Sequence, residues 1–469
     1  MMRSARSAHN AAGLAAAILL PAVILLIPTP AALSPPAWRV VALFAAALVL
    51  WVSEAVPVAI TALLVVVAQP LLGVSDVTAA FTSFISPVFF FVLVMFVIAQ
   101  AFTVTGLDRR FALWLLAQAG DDPRRIVYAL MLGCGALSTI VSDVPVCAIF
   151  MTLALGVFER LRIVPGESRF ARGVMLGIPI ASLIGGVGTP AGSSVNILGL
   201  FFIQQNADVR VSFLQWLAIG IPMVAILLPA AAWVVIKVHP PELIGAGHAR
   251  GIEAEREQAG AITIEEVKVL VIMSAIVLLW LLGSWYPQID TVIVAVLGAV
   301  VMFLPGVGIF RSWKDVERAI GWDALLMIGG VTSLGAVSAK TGFAKWLVDV
   351  SLSGIHDWQP WAAVAAITAF TAAIHLVLPV NPVITAVLVP PIVLLAKASG
   401  HHPALYGLPV VFTASCAFLL PLDAVTLVTY THGYYRMPDL FVPGLVISAI
   451  WVLAMTGLLV VLGPMVGLF

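Results

Sequence analysis

Charge is what this chain has least of. Only 23 basic and 23 acidic side chains are spread over 469 residues, 10% of the total, where a soluble domain carries roughly a quarter. That scarcity excludes an ordinary water-soluble globule. The signs also balance to a formal net charge of zero, which excludes a basic surface for nucleic acid. Cysteine is scarce too. Cys134, Cys147 and Cys416 stand in apolar stretches without CxxC spacing, so no disulfide framework or cysteine metal site is expected, and the three read as small packing residues. What remains is apolar: 62% of residues are hydrophobic and the mean hydropathy is +1.12. The fold class expected is an all-α polytopic membrane protein, because the apolar runs are of helix-spanning length.

Such runs lie near 11–32, 38–53, 56–73, 87–105, 170–207, 213–236, 266–284, 289–306, 321–342, 404–430 and 440–466. The first follows Arg3 and Arg6 but is long for the apolar part of a signal peptide, and reads as a retained helix. Two more apolar stretches, 124–158 and 358–398, carry breaks in the middle, "SDVP" at 142–145 and "PVNP" at 379–382. Each fits a helix–turn–helix hairpin that enters and leaves on one side, a shape tolerated at membrane depth only where protein or an aqueous cavity covers it. With about 11 transmembrane helices, two re-entrant hairpins and a cytoplasmic N-terminus, eighteen of the 23 Lys and Arg residues fall in the cytoplasm and five outside. The positive-inside rule is obeyed. Treating either hairpin as a single crossing would invert every segment after it and spoil that asymmetry.

A polar segment, 238–265, divides the chain into halves that look alike. "TVTGLDRRFALWLL" (103–116) and "SAKTGFAKWLVDV" (338–350) each follow an apolar span, with Thr-Gly pairs at 105 and 341, 236 apart; the hairpin tips Asp143 and Asn381 are 238 apart. A near-constant offset suggests an internal repeat, and an odd number of crossings per half makes the repeats inverted, as in many secondary transporters. The expected division is an N-terminal helix and linker (1–37), a first repeat (38–237) with its hairpin at 124–158, a cytoplasmic loop (238–265) and a second repeat (266–469) with its hairpin at 358–398.

Three acids sit well inside apolar sequence: Glu54, Asp143 and Asp423. Glu54, in "WVSEAVPVAIT", falls between two spans where it could cap a helix. Asp143 and Asp423 are harder to place as structural residues, since a charge inside the membrane costs at least about 2.5–3.5 kcal/mol. His375, in "AAIHLVLPV", suits a buried structural histidine and a proton relay equally. The cluster "GGVGTPAGSSVN" (185–196) interrupts one span, and "FLLPLDAVTLVTY" (418–430) interrupts another. Each half thus has a hairpin tip followed by a broken helix, whose free N–H and C=O groups bind anions at an N-terminus and cations among carbonyls. Two buried aspartates also suit an intramembrane protease, but neither has the Gly-x-Gly-Asp setting of that class, so no enzyme is expected.

"WVSEAVPVAITALLVVVAQPLLGV" (51–74), "TGLDRRFALWLL" (105–116), "GGVGTPAGSS" (185–194), "FLQWLAIGIPM" (213–223) and "GYYRMPDLFVPGL" (433–445) together resemble the divalent anion:Na+ symporter family, in order and over nearly the whole chain. The resemblance implies scaffold and transport domains, elevator-like movement, a homodimer in the inner membrane, and a small anionic substrate: a di- or tricarboxylate, or sulfate. It implies Na+ as the coupling ion and no cofactor. The family's Ser-Asn-Thr triplets at the tips are replaced here by Ser142-Asp143-Val144 and Val380-Asn381-Pro382, and its Thr-Pro-Pro-Asn by Ala424-Val425-Thr426-Leu427. Carried over by position, substrate contacts would come from Asp143, Val144, Ser193, Asn381, Pro382 and Val425. The first cation site would use Ser138, Ser142, Asp143 and Gly192. The second would use Pro379 and Asn381, with Asp423 replacing a backbone carbonyl.

Two ionised aspartates oppose a dianion. A carboxylate about 4 Å from a substrate charge costs about 4 kcal/mol at an effective dielectric near 20. Either a cation neutralises Asp143, or it carries a proton when substrate binds, or the substrate is less charged. H+ coupling or anion exchange is therefore the alternative to Na+ symport, and no Lys or Arg near either tip is available to hold the anion.

Overall fold

The protein is described by a computed structural model covering residues 2–242, 253, 255–351, 354, 358–378 and 380–469. Every regular element among these residues is helical. The first half contains α1 (Met2–Leu26), α2 (Pro35–Ser53), α3 (Val58–Leu71), α4 (Val77–Phe84), α5 (Pro87–Thr105), α6 (Leu107–Ala119), α7 (Pro123–Ser138), α8 (Asp143–Arg160), α9 (Arg169–Gly186), α10 (Ser194–Ala207) and α11 (Phe213–Val238). The second contains α12 (Ile264–Leu282), α13 (Thr291–Val301), α14 (Trp322–Thr341), α15 (Phe343–Ser351), α16 (Pro360–Ile374), α17 (Asn381–Ala398), α18 (Pro403–Thr413), α19 (Ala424–Tyr430) and α20 (Met437–Met465). Among the described residues, six stretches are long and apolar enough to cross a membrane: Pro35–Ser53, Val77–Thr105, Phe213–Val238, Trp322–Thr341, Asn381–Ala398 and Met437–Met465. The chain is an all-α polytopic membrane protein.

Local chemistry explains the helix ends. Helix α1 stops at Leu26, short of the apolar run that extends to 32, because Pro28 and Pro30 cannot continue it. Helix α4 starts where Asp76 accepts from the Ala79 N–H, and Pro87 opens α5 after a break at Ile85–Ser86. Both Thr-Gly pairs end a helix. Gly106 and Gly342 take left-handed φ of 77° and 87°, and α6 and α15 start immediately afterwards. Such a turn suits glycine because a Cβ penalises it.

The two proline- or acid-broken stretches are helix–turn–helix units. Helix α7 is followed through 139–142 by α8, and α16 ends in a turn at 375–377 before α17 begins at Asn381. The apolar runs 170–207 and 404–430 are broken helices, as their glycine and proline clusters suggest. Helices α9 and α10 are joined by a 3-10 turn at Pro190–Gly192, and α18 and α19 by residues 414–423. Helix α9 is buried throughout Gly173–Gly186 and α18 throughout Pro403–Thr413, which places both at the centre of the bundle. Helix α9 packs on α7 and α8, and α18 on α16 and α17; the second halves cross over, α10 packing on α17 and α18, and α19 on α8 and α9.

Tryptophans bolt these breaks. Trp216 of α11 donates its indole N–H to the Val187 carbonyl (2.9 Å) at the end of α9, and stacks on Phe412 of α18 at 4.2 Å. Trp451 of α20 donates to Thr413 Oγ1 (3.1 Å) at the end of α18. In each half, the long helix that follows a broken helix thus satisfies a polar group at the break. A buried indole N–H needs such a partner.

Candidate functional site

The first hairpin tip is held by serines. Ser138 Oγ donates to the Ser182 carbonyl (2.7 Å), and Ser182 Oγ donates to the Asp143 carbonyl (2.6 Å). These bonds fasten the end of α7 and the start of α8 to α9. Asp143 is the first residue of α8, where the helix dipole favours an anion. Its Oδ1 accepts from the Val144 N–H (2.9 Å) and from Ser142 Oγ (3.4 Å), and the Ser193 side chain lies beside the carboxylate. No Lys or Arg pairs with Asp143 or Asp423 among the described residues.

Backbone carbonyls crowd the same place. A methyl added to Gly192 would lie 2.6 Å from the Gly186 oxygen and 2.7 Å from that of Ser138, so only glycine lets the three strands of backbone meet. Thr189 Oγ1 donates to the Thr139 carbonyl (2.6 Å), tying the 3-10 turn to the tip. Asn196 of α10 donates to the carbonyls of Gly186 (2.8 Å) and Thr189 (3.0 Å), and its own buried Oδ1 makes no hydrogen bond among the described residues. Carboxylate, hydroxyl, carbonyl and amide oxygens gathered among these buried residues are the donor types a hard cation takes.

The second tip is built differently. Asn381 opens α17 and is buried, and its Oδ1 makes no hydrogen bond among the described residues. His375 caps α16 and reaches the carbonyls of Thr371 (2.9 Å) and Ala414 (3.1 Å), so it ties the hairpin to the break after α18. Both ring nitrogens face carbonyl oxygens, so a neutral ring donates to one of the two. Val380 supplies no capping hydroxyl, Pro382 is buried, and Pro379 lies outside the described residues.

Asp423 caps α19, its Oδ2 accepting from the Val425 N–H (2.9 Å). Helix α19 packs on the first hairpin: Cys147 Sγ, one turn past Asp143 on α8, donates to the Val425 carbonyl (3.4 Å). Asp423 therefore lies within electrostatic range of Asp143, and no hydrogen bond joins it to Asn381 among the described residues. Val425 is buried at this helix contact, whereas Val144 is 37% exposed at the tip. Ser138, Ser142, Asp143, Gly192 and Ser193 come together. Asn381 is placed with His375, and Asp423 with α8. Glu54 is an exposed left-handed C-cap of α2 (φ 46°), away from both tips. Ser182, Thr189 and Asn196 complete the first tip. Thr189 and Asn196 fall within the polar break at 185–196, whose hydroxyls with its glycines suggest a lined cavity, whereas nothing local marks Ser182.

A broken-helix, double-hairpin arrangement of this kind has known counterparts. The family described as "Sodium:sulfate symporter transmembrane region" matches residues 8–469. The chain belongs to this family. The sodium:sulfate symporter family is one of transporters, not enzymes, and agrees with the resemblance drawn from the motifs. An "uncharacterized transporter" of Haemophilus influenzae is 29% identical over 441 residues, covering 89% of this chain and 90% of that one. The "sodium-dependent dicarboxylate transporter SdcS" of Staphylococcus saprophyticus is 27% identical over 395 residues, covering 79% and 75%. Among solved structures, MtrF of Neisseria gonorrhoeae aligns with a TM-score of 0.55 at 12% identity, covering 84% of this chain and 83% of that one. The YdaH transporter of Alcanivorax borkumensis aligns at 0.51 and 14%, covering 81% and 85%. At those identities the structures support the fold alone.

Proposed function

We propose that this chain is a Na+-coupled carrier of a small dianion, a dicarboxylate or sulfate. The observation that carries the reading is the oxygen cluster at the first tip: the Asp143 carboxylate, the Ser142 and Ser193 hydroxyls, and the Ser138 and Gly186 carbonyls around Gly192. A cation bound there neutralises Asp143 and removes that carboxylate's share of the repulsion opposing a dianion. Substrate then meets Ser193 and the N-terminal ends of α8, α10, α17 and α19, whose dipoles and free N–H groups favour negative charge. The matching dicarboxylate-transporter name of the SdcS relative supports the same class of substrate.

In this reading the two halves, 38–237 and 266–469, are inverted repeats. The hairpins with α9, α10, α18 and α19 form a transport domain that moves, elevator-like, against a scaffold built on the remaining spans. The protein works as a homodimer in the inner membrane with its N-terminus in the cytoplasm. The crossed packing of α10 on the second hairpin and α19 on the first supports a transport unit that moves as one body.

Thermal unfolding of the purified protein in NaCl against KCl at equal ionic strength and pH tests the cation site. A ligand that binds only the folded protein raises its midpoint. Na+ stabilises the wild type and not Asp143→Ala. Equal midpoints in Na+ and K+ for the wild type would refute the assignment.

A further inference from the structure

A cavity of about 600 Å³ runs along α10 from Ile197, one turn past Ser193, to the place where the C-terminal end of α10 meets the N-terminal ends of α5 and α13. One wall is a face of α10, Ile197, Leu200 and Phe201, which is apolar until Gln204 and Gln205. The other end is polar. Arg210 is exposed and donates Nη1 to the Pro287 carbonyl (3.0 Å). Asp290 caps α13 with Oδ1, accepting from the N–H groups of Val292 (2.8 Å) and Ile293 (3.2 Å); its Oδ2 makes no hydrogen bond among the described residues. Helix α5 starts at Pro87, α13 at Thr291, and α10 ends at Ala207, so these polar groups gather where three apolar helices reach one membrane face.

A second space, about 430 Å³, shares Pro87, Val292 and Ile293 with the first and continues along α5 and α13 past Phe90, Val296 and Leu297. It carries no charged residue. Phe90, Ile293 and Leu297 are 46%, 58% and 55% exposed, so the slot opens sideways, towards the bilayer interior. A polar floor with one cation and one anion, joined to an apolar slot running inward, has the shape and polarity of a diacyl lipid. It does not suit a dianion, for which the Asp290 carboxylate is repulsive and the slot offers no donors.

We propose that this cavity and slot form a phospholipid site, between α10 and the ends of α5 and α13, selective for a headgroup that combines a phosphate with a primary ammonium. The phosphate meets Arg210 and the side-chain amides of Gln204 and Gln205. The ammonium meets Asp290, and an acyl chain fills the slot. Because acyl chains gain little on moving from lipid to an apolar protein surface, the headgroup sets the selectivity. Paired charges of opposite sign favour a zwitterion over a net anion. Choline headgroups, lacking N–H donors, fit Asp290 less well.

The test is native mass spectrometry of the full chain in detergent with phosphatidylethanolamine, phosphatidylglycerol or diacylglycerol of identical acyl chains. The wild type binds one phosphatidylethanolamine about fivefold or more tighter than diacylglycerol, and tighter than phosphatidylglycerol. Arg210→Ala abolishes the preference over diacylglycerol. Asp290→Asn, which keeps an N-cap oxygen, moves the preference towards phosphatidylglycerol, and Ile293→Trp weakens all three by filling the slot. Equal binding of the three lipids by the wild type, or a preference that survives Arg210→Ala, overturns the proposal. Displacement of the lipid by free phosphoethanolamine at equal concentration overturns it too, in favour of a soluble phosphate ester. The readout is binding, so it stands or falls apart from any transport result.

Discussion

The two hairpin tips occupy corresponding places in the two halves, yet they solve the same problem with different chemistry. The first opens α8 with a carboxylate and surrounds it with the hydroxyls of Ser142 and Ser193. The second opens α17 with an amide, follows it with proline, and braces the turn through His375 to Ala414. One tip therefore presents an ionisable carboxylate, and the other a neutral amide dipole. The contrast teaches that a pseudo-symmetric fold can hold an asymmetric site. Helix α19 sharpens the contrast, because its packing on α8 brings the second buried carboxylate, Asp423, to the first hairpin. Both buried carboxylates are thereby gathered at the first hairpin.

If that asymmetry governs coupling, the largest effect belongs to Asp143. Asp143→Ala removes a charge-assisted ligand worth up to about 3 kcal/mol, so apparent Na+ affinity in an uptake assay falls about a hundredfold. Asn381→Ala, losing neutral dipoles worth about 1–1.5 kcal/mol, lowers it about tenfold. Equal losses for the two variants would break the comparison. Gly192→Ala comes next. Its new methyl meets the carbonyls of Gly186 and Ser138, and overpacking of about 1–3 kcal/mol should lower the thermal midpoint and uptake together. A variant with wild-type stability and uptake would show that the three backbones do not need their close approach.

Asn196→Ala leaves the Gly186 and Thr189 carbonyls without their amide donor, at a cost of about 1–2 kcal/mol read by thermal unfolding. The substitution also removes an unpartnered oxygen from the cation pocket, so Na+-dependent stabilisation shrinks. Unchanged Na+ stabilisation would exclude Asn196 from the cation's surroundings. The smallest effect lies outside the membrane. Glu242 is partly desolvated, which alone would raise its pKa, but donation from Ser168 and the Phe170 N–H holds the pKa below the ordinary 4.5. A lowered folded value contributes stability above pH 4.5 that is lost as pH falls through it. Glu242→Gln therefore flattens the decline in stability below that pH, and an unaltered decline would assign it to other carboxylates.

Much of this was legible in the sequence. Hydropathy located the spans, and proline, aspartate and glycine marked both hairpin tips and both broken helices, because those residues interrupt helices for backbone reasons that hold in any context. The near-constant offset between Thr105-Gly106 and Thr341-Gly342, and between Asp143 and Asn381, foreshadowed paired landmarks such as Trp216 and Trp451. Partners across the fold were less legible. Nothing local shows that Ser182 clasps Asp143 or that Cys147 bonds the Val425 carbonyl, 278 residues away. Asp423 was assigned by sequence position to the second tip, but which hairpin a half-helix packs on is decided by the crossover of α10 and α19, which no sequence period encodes. Helix ends also shifted where a proline, rather than hydropathy, set the boundary, as at Leu26.

The most direct test of cation coupling through the first tip is uptake of labelled succinate into proteoliposomes, comparing an inward Na+ gradient with an equal K+ gradient at one fixed pH. Uptake driven by Na+ and lost in Asp143→Ala is the expected result. Wild-type uptake at the same rate in Na+ and K+ would contradict Na+ coupling.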